Sequence, residues 1–316
     1  MNQPQEYNQE EIEDLKMKST QFHDALFENP LDENTLIDVL TSTSNEERQL
    51  IRGFYKQAYN NPIQNDIKSQ LKDRLCQMVI DMFDTPYEYD ARELHTALNS
   101  LTNDDSVIIE IFASRPSAYL EIVDLAYNNF FKISLKDEIK KHTSEEFAEF
   151  LIALMEVERP TEQSISGNEA YEYAEELKNG ELENIGTDVE KFKTVFIDKS
   201  REDLILISRA YYERAQKNLY DAIEAEVPGK NRRLIKAILF AVITPAQWFS
   251  KKISKALQGL GGDYNTIRRV LISRAEIDMY AIRDYYFMET NNELRTDIQE
   301  DNEDAYTQIL TNLSLK

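Results

Sequence analysis

The stretch "KALQGLGGDYNTIRRVLISRAEID", residues 255–278, decides how the chain is read. It gathers three of the eight glycines, Gly259, Gly261 and Gly262, into four positions just ahead of a run with helical period. Glycine is favoured where the backbone turns through positive φ or where a partner must approach the main chain closely, so the cluster marks either a plain turn or a binding loop. Asp263 ends it, and aspartate is a good helix N-cap because its carboxylate accepts hydrogen bonds from the first unpaired amides. Ile267, Val270 and Leu271 then follow i, i+3, i+4 spacing. Ile277, Ala281, Ile282, Tyr285 and Tyr286 are expected to continue one face after a break at Arg274, Ala275 and Glu276.

With Asp263 as origin, the same pattern occurs three more times, beginning at Asp32, Asp104 and Asp188. Four residues on stand Leu36, Ile108, Phe192 and Ile267, and eight on stand Leu40, Phe112, Phe196 and Leu271. Position +23 is tyrosine each time (Tyr55, Tyr127, Tyr211, Tyr286) and position +35 is isoleucine each time (Ile67, Ile139, Ile223, Ile298). Position +46 is Met78, Phe150, Leu234 and Ile309, so the register runs without gaps and length varies only between copies. No stretch alternates apolar and polar residues over a strand's length between turn signals, and no sheet is expected. The spacing predicts an all-α chain of four repeats of about seventy residues. Each repeat holds several short helices that share a core, and repeats of this kind usually bury their faces against neighbours.

At position +38 stand Gln70, His142, Glu226 and Asp301. The two carboxylates belong to the repeats whose loops keep glycine, "NIGTD" at 184–188 and "GLGGD" at 259–263. The other two loops read "ENPLD" at 28–32 and "NSLTND" at 99–104. Loop and acid are kept or lost together, as a shared ligand requires and a plain turn does not. Main-chain carbonyls with one carboxylate are typical donors for Ca²⁺, which takes six to eight oxygens. A phosphate site fails because neither loop carries the lysine of a P-loop and a carboxylate opposite would repel the anion; no EF-hand run occurs either.

Composition sets outer bounds. The 316 residues, 41% of them hydrophobic, suffice for one large or two ordinary cores. A net charge of −22 repels nucleic acid and other polyanions unless a bound cation inverts it locally, so no nucleic-acid partner is expected. The basic clusters at Lys230, Arg232 and Arg233 and at Lys251 and Lys252 read as solvated helix faces balanced by nearby acids, with binding of an anionic polysaccharide as the rival. The single cysteine, Cys76, excludes an internal disulfide and any multi-thiolate metal site and fits a reducing compartment. The most apolar window, Ile238 to Thr244, is far too short to span a bilayer, so a cytoplasmic protein is expected. Cys76 and Trp248 are expected in the core. His23, His95 and His142 have no mutual spacing suited to a metal or to catalysis. No nucleophile, base and acid assemble, and no enzyme is expected.

The whole pattern resembles the annexins. Besides the two loops and their acids, "TPYEYDAREL" at 85–94 is similar to an annexin inter-repeat opening and "IFASRP" at 111–116 to the end of a repeat's second helix. The resemblance spans residue 10 to the C-terminus and implies five helices per repeat. Repeats are then expected at 10–84, 85–160, 161–243 and 244–316, after a polar tail, 1–9. It further implies calcium held in the fourth repeat by the carbonyls of Leu257, Gly259 and Gly261 with Asp301 as bidentate cap. In the third it implies the carbonyls of Glu181, Asn184 and Gly186 with Glu226 as cap. That loop is one residue longer than usual, so Gly180 can replace Glu181. The implied function is calcium-dependent, reversible, peripheral binding to acidic phospholipid membranes. The rival is a scaffold for cytoskeletal proteins in which calcium is accessory, and a weaker resemblance to the giardins of flagellate protists goes with it.

Overall fold

The computed structural model describes residues 6–101, 104–185, 188–258, 262–299 and 304–316, and the side chain of Glu181 lies outside that description. The chain is all-α. The first repeat has helices Gln9–Phe27, Glu33–Ser42, Asn45–Tyr59, Ile63–Gln70 and Asp73–Phe83. The second has Pro86–Asn99, Asp105–Ser114, Ser117–Phe131, Leu135–His142 and Glu145–Glu156. The fourth has Pro245–Leu257, Tyr264–Arg274, Met279–Thr290, Leu294–Gln299 and Ala305–Leu313. The third keeps the order with Arg201–Ala215, Leu219–Glu226 and Gly229–Ile243, but its first two helices are interrupted.

The repeated residues do the same work in each copy. Asp32, Asp104, Asp188 and Asp263 all cap the second helix, accepting from the N–H of Thr35 (3.1 Å), Ser106 (3.0 Å), Glu190 (3.1 Å) and Thr266 (3.1 Å). Each such cap contributes about 1 kcal/mol. The residues at +4, +8, +23, +35 and +46 are buried in all four repeats. Tyr55 and Tyr286 donate their enclosed hydroxyls to Asp66 (2.7 Å) and Asp297 (2.6 Å), so these large rings carry no unpaired polar atom inward. All four third helices stop at a left-handed residue other than glycine at position +28: Asn60, Lys132, Gln216 and Asn291, with φ of 50°, 61°, 53° and 59°. Gly262 also has positive φ, 56°, as a glycine at the end of the fourth loop should.

The helices assemble into two compact halves, one formed by residues up to Pro86 together with Phe249–Lys316, the other by Tyr87–Trp248. Within the first half, Glu33–Ser42 packs on Ala305–Leu313 and Asp73–Phe83 on Tyr264–Arg274. Within the second, Asp105–Ser114 packs on Gly229–Ile243 and Glu145–Glu156 on the second helix of the third repeat. The fifth helix of one repeat thus meets the second helix of its partner, reciprocally. The partner of the first repeat inside its half is the fourth, from the opposite end of the chain, a departure from the expected stacking of sequence neighbours. Buried polar groups specify these pairings. Arg48 donates to the carbonyls of Leu40 (3.0 Å) and Met82 (2.7 Å) and reaches Glu276 of the fourth repeat (3.2 Å). Asp81 meets Arg268 at 3.3 Å.

Three core expectations change. Residues 275–278 form a turn, so the helix that follows restarts its period and touches the core only through Met279, Ile282 and Tyr286. Ile277 (65%) and Tyr285 (37%) are consequently exposed, and Tyr280, Phe287 and Met288 join them on the outside. Cys76 is half-buried. Trp248 is half-buried too, leaning on the core of the second half.

Candidate metal centre

In three repeats the loop ahead of the capping aspartate is closed by the same bond across seven residues. Asp32 N–H donates to the Ala25 carbonyl (3.3 Å), Asp104 to Ala97 (2.9 Å) and Asp263 to Ala256 (2.8 Å). The third repeat differs. Its first helix, Gly167–Glu176, leaves helical dihedrals at Asn179 (φ −80°, ψ 24°) and Gly180 (φ 90°, ψ 0°). A short helix, Leu182–Ile185, follows, and Asp188 N–H bonds the Asn184 carbonyl at 2.8 Å. A side chain at φ 90° would be strained, so glycine at 180 is a conformational requirement. The Asn184 carbonyl, expected as a ligand, already accepts one hydrogen bond and keeps one lone pair.

Leu182–Ile185 packs against Leu219–Glu226, and Glu226 is the last residue of that helix, half-exposed, with Lys217 Nζ 3.6 Å from its carboxylate. The buried Tyr211 hydroxyl is pushed up by its burial and further by the Glu226 charge. In the fourth repeat Leu257 ends the first helix. Gly186, Gly259, Gly261 and Asp301 lie outside the described residues. Among the described residues no three His, Cys, Asp or Glu side chains converge on a cation position. The donor set expected for each loop, one carboxylate with main-chain oxygens, is hard and mostly neutral, a chemistry suited to Ca²⁺ and not to a soft transition metal.

The other two repeats have replaced the acid. Gln70 is exposed and donates to Ser69 Oγ (3.1 Å), while His142 Nε2 contacts the buried Glu138 at 3.0 Å. Both carry a histidine nine residues before the capping aspartate, stacked on an aromatic ring at +27. His23 lies on Tyr59 and His95 on Phe131, each with ring centroids 3.7 Å apart and planes nearly parallel. His95 also contacts the Tyr127 hydroxyl (2.9 Å), and burial lowers its pKa against the opposing effect of Glu138. The third and fourth repeats have Asn179 with Ala215 and Ser254 with Thr290 at these positions. The shared register of the two histidines was a readable sign of this clamp.

The basic cluster at 230–236 is neutralised. Lys230 and Arg233 pair with Asp105 at 2.9 and 3.6 Å, Arg232 lies 3.8 Å from Glu224, and Lys236 contacts the same carboxylate. No helix among the described residues is long and apolar enough to cross a membrane.

The profile of the family described as Annexin matches residues 19–82, 89–154, 172–238 and 249–313. The chain belongs to the annexin family. Mouse annexin A3 is 30% identical over 279 residues, covering 88% of this chain and 86% of that protein. The solved structure of annexin III superposes with a TM-score of 0.89 at 26% identity, covering 99% of this chain and 95% of the other. Calcium-bound alpha-1 giardin superposes with a TM-score of 0.75 over 96% of this chain and 99% of its own, at 20% identity, a likeness of fold alone. This chain carries the annexin repeat four times.

Proposed function

We propose that this annexin binds acidic phospholipid surfaces reversibly and peripherally from the cytoplasmic side, through Ca²⁺ held by the loops of its third and fourth repeats. One observation carries the reading: the short helix that follows the kink at Gly180 packs on the helix that ends in the half-exposed Glu226, while the equivalent positions of the first two repeats hold Gln70 and His142. Gly180 or Glu181, Asn184 and Gly186 would supply carbonyls with Glu226 as cap, and Leu257, Gly259 and Gly261 with Asp301 would do so in the fourth repeat. Few charged ligands give weak intrinsic affinity, on the order of 10⁻⁵ to 10⁻³ M. A lipid phosphate completing the coordination tightens it, and by linkage calcium raises lipid affinity equally. The cation also inverts the local charge of a chain whose net charge is −22. The proposed activity is binding, with no catalytic step.

Sedimentation with phosphatidylserine vesicles, with calcium and with chelator, tests this. Equal binding in both would sink it, as would full binding by Glu226→Gln combined with Asp301→Asn. The scaffold reading has one observation in its favour, the exposed apolar side chains Ile277, Tyr280, Phe287 and Met288. It requires that calcium leave thermal stability unchanged, whereas the membrane reading requires stabilisation that the double variant loses.

A further inference from the structure

The first two helices of the third repeat enclose a cleft of about 230 Å³. Its floor is aliphatic and buried, formed by Leu177, Ile185 and Val195. Its mouth carries Glu176, Glu190, Lys191 and Thr194. Both walls are interrupted helices. One breaks at Asn179 and Gly180, and the other widens over Lys193–Ile197, where Asp198 N–H reaches back five residues to the Lys193 carbonyl (2.9 Å). The corresponding helices of the first two repeats, Gln9–Phe27, Glu33–Ser42, Pro86–Asn99 and Asp105–Ser114, run unbroken. Single wide turns inside helices gather at functional sites.

We propose that this cleft binds a small amphipathic cation, an alkylammonium or arylalkylammonium whose apolar body covers the aliphatic floor and whose ammonium meets Glu176. The volume decides the size: at ~30 Å³ per water it holds about eight waters, so the ligand has roughly ten heavy atoms. The mouth decides the charge. Glu190 is shared with Lys193 at 3.3 Å, whereas Glu176 has no ion-pair partner among the described residues. The residues lining the mouth are two carboxylates, Glu176 and Glu190, and one lysine, Lys191. The net charge of −22 further favours cations near the surface.

The test uses the whole chain in chelator, which separates it from calcium binding. Phenethylammonium is titrated while the methyl NMR signals of Leu177, Ile185 and Val195 are followed. Saturable shifts at these methyls are expected, with Kd on the order of 1 mM for a ligand of this size. Glu176→Gln weakens binding about threefold, the scale of an exposed ion pair. Thr194→Phe, at an exposed position on the rim, abolishes it without touching the core. 3-Phenylpropionate, with the same body and the opposite charge, shifts the methyls little. Unmoved methyls, equal binding of the carboxylate, or unchanged affinity in Glu176→Gln overturns the proposal.

Discussion

Asp203→Asn should remove a measurable part of the second half's stability. The Asp203 carboxylate is fully buried and accepts four bonds, from Ser164 N–H (2.9 Å), Ser164 Oγ (2.7 Å), Ile165 N–H (3.1 Å) and Ser200 N–H (3.1 Å). It ties the segment before the third repeat's first helix to that repeat's third helix. Burial alone would raise its pKa, but these donors win and hold it at about 2. Against an unfolded value near 3.9 the shift is roughly two pKa units, or about 2.5 kcal/mol. A depressed carboxylate stabilises the fold above its unfolded pKa and loses that contribution as pH falls, here about half of it by pH ~3. Asparagine keeps one acceptor but turns an N–H₂ toward donors, so the loss at pH 7 is expected at about 2–4 kcal/mol. Urea unfolding followed by the fluorescence of Trp248, the single tryptophan, reads this half directly. The difference between wild type and variant is the quantity that matters, because other carboxylates drive acid unfolding in both. A difference below ~0.5 kcal/mol at pH 7, or one that fails to narrow from pH 5 to pH 3, refutes the reasoning.

Four further outcomes are expected. Arg115→Ala leaves the buried Asp90 without the guanidinium at 2.8 Å and destabilises by about 3–5 kcal/mol; the double change with Asp90→Asn should recover part of it in denaturant titrations. Tyr286→Phe removes the bond to Asp297 and costs about 1–2 kcal/mol by the same measurement, with little change in fluorescence of the native state. Lys132→Gly relieves a left-handed conformation at φ 61° and raises stability by up to ~1 kcal/mol, seen as a higher urea midpoint at constant m. Gly180→Ala strains φ 90° by about 1 kcal/mol and, if the third loop holds calcium as proposed, weakens calcium-linked thermal stabilisation more than the unliganded fold.

The repeat register was legible because its causes are local. A capping aspartate, a helical period and a ring that must face inward are decided within a few turns of chain, so Asp104, Ile108, Tyr127 and Ile139 could be aligned with their counterparts by counting. The same register pairs loop glycines with an acid at +38 in the sequence, and the proposed calcium sites rest on that pairing. Other features left weak or misleading traces. Ile277 and Tyr285 satisfied a helical period and still face water, because a four-residue turn resets the phase and the helix meets its neighbours along a narrow stripe. The left-handed ends at Lys132 and Gln216 carry no glycine to announce them.

By itself the sequence determined four all-α repeats and the repeated residues at +4, +8, +23, +35 and +46 that face each core. Only the tertiary structure decided which repeats share a half, where the third repeat's helices break, and which charges are spent on one another. Arg48 with Glu276, Asp81 with Arg268, Asp105 with Lys230, and Asp203 with the Ser164 backbone are long-range partners. Periodicity describes one helix at a time, whereas burial and electrostatic pairing depend on which distant surfaces the chain brings into contact.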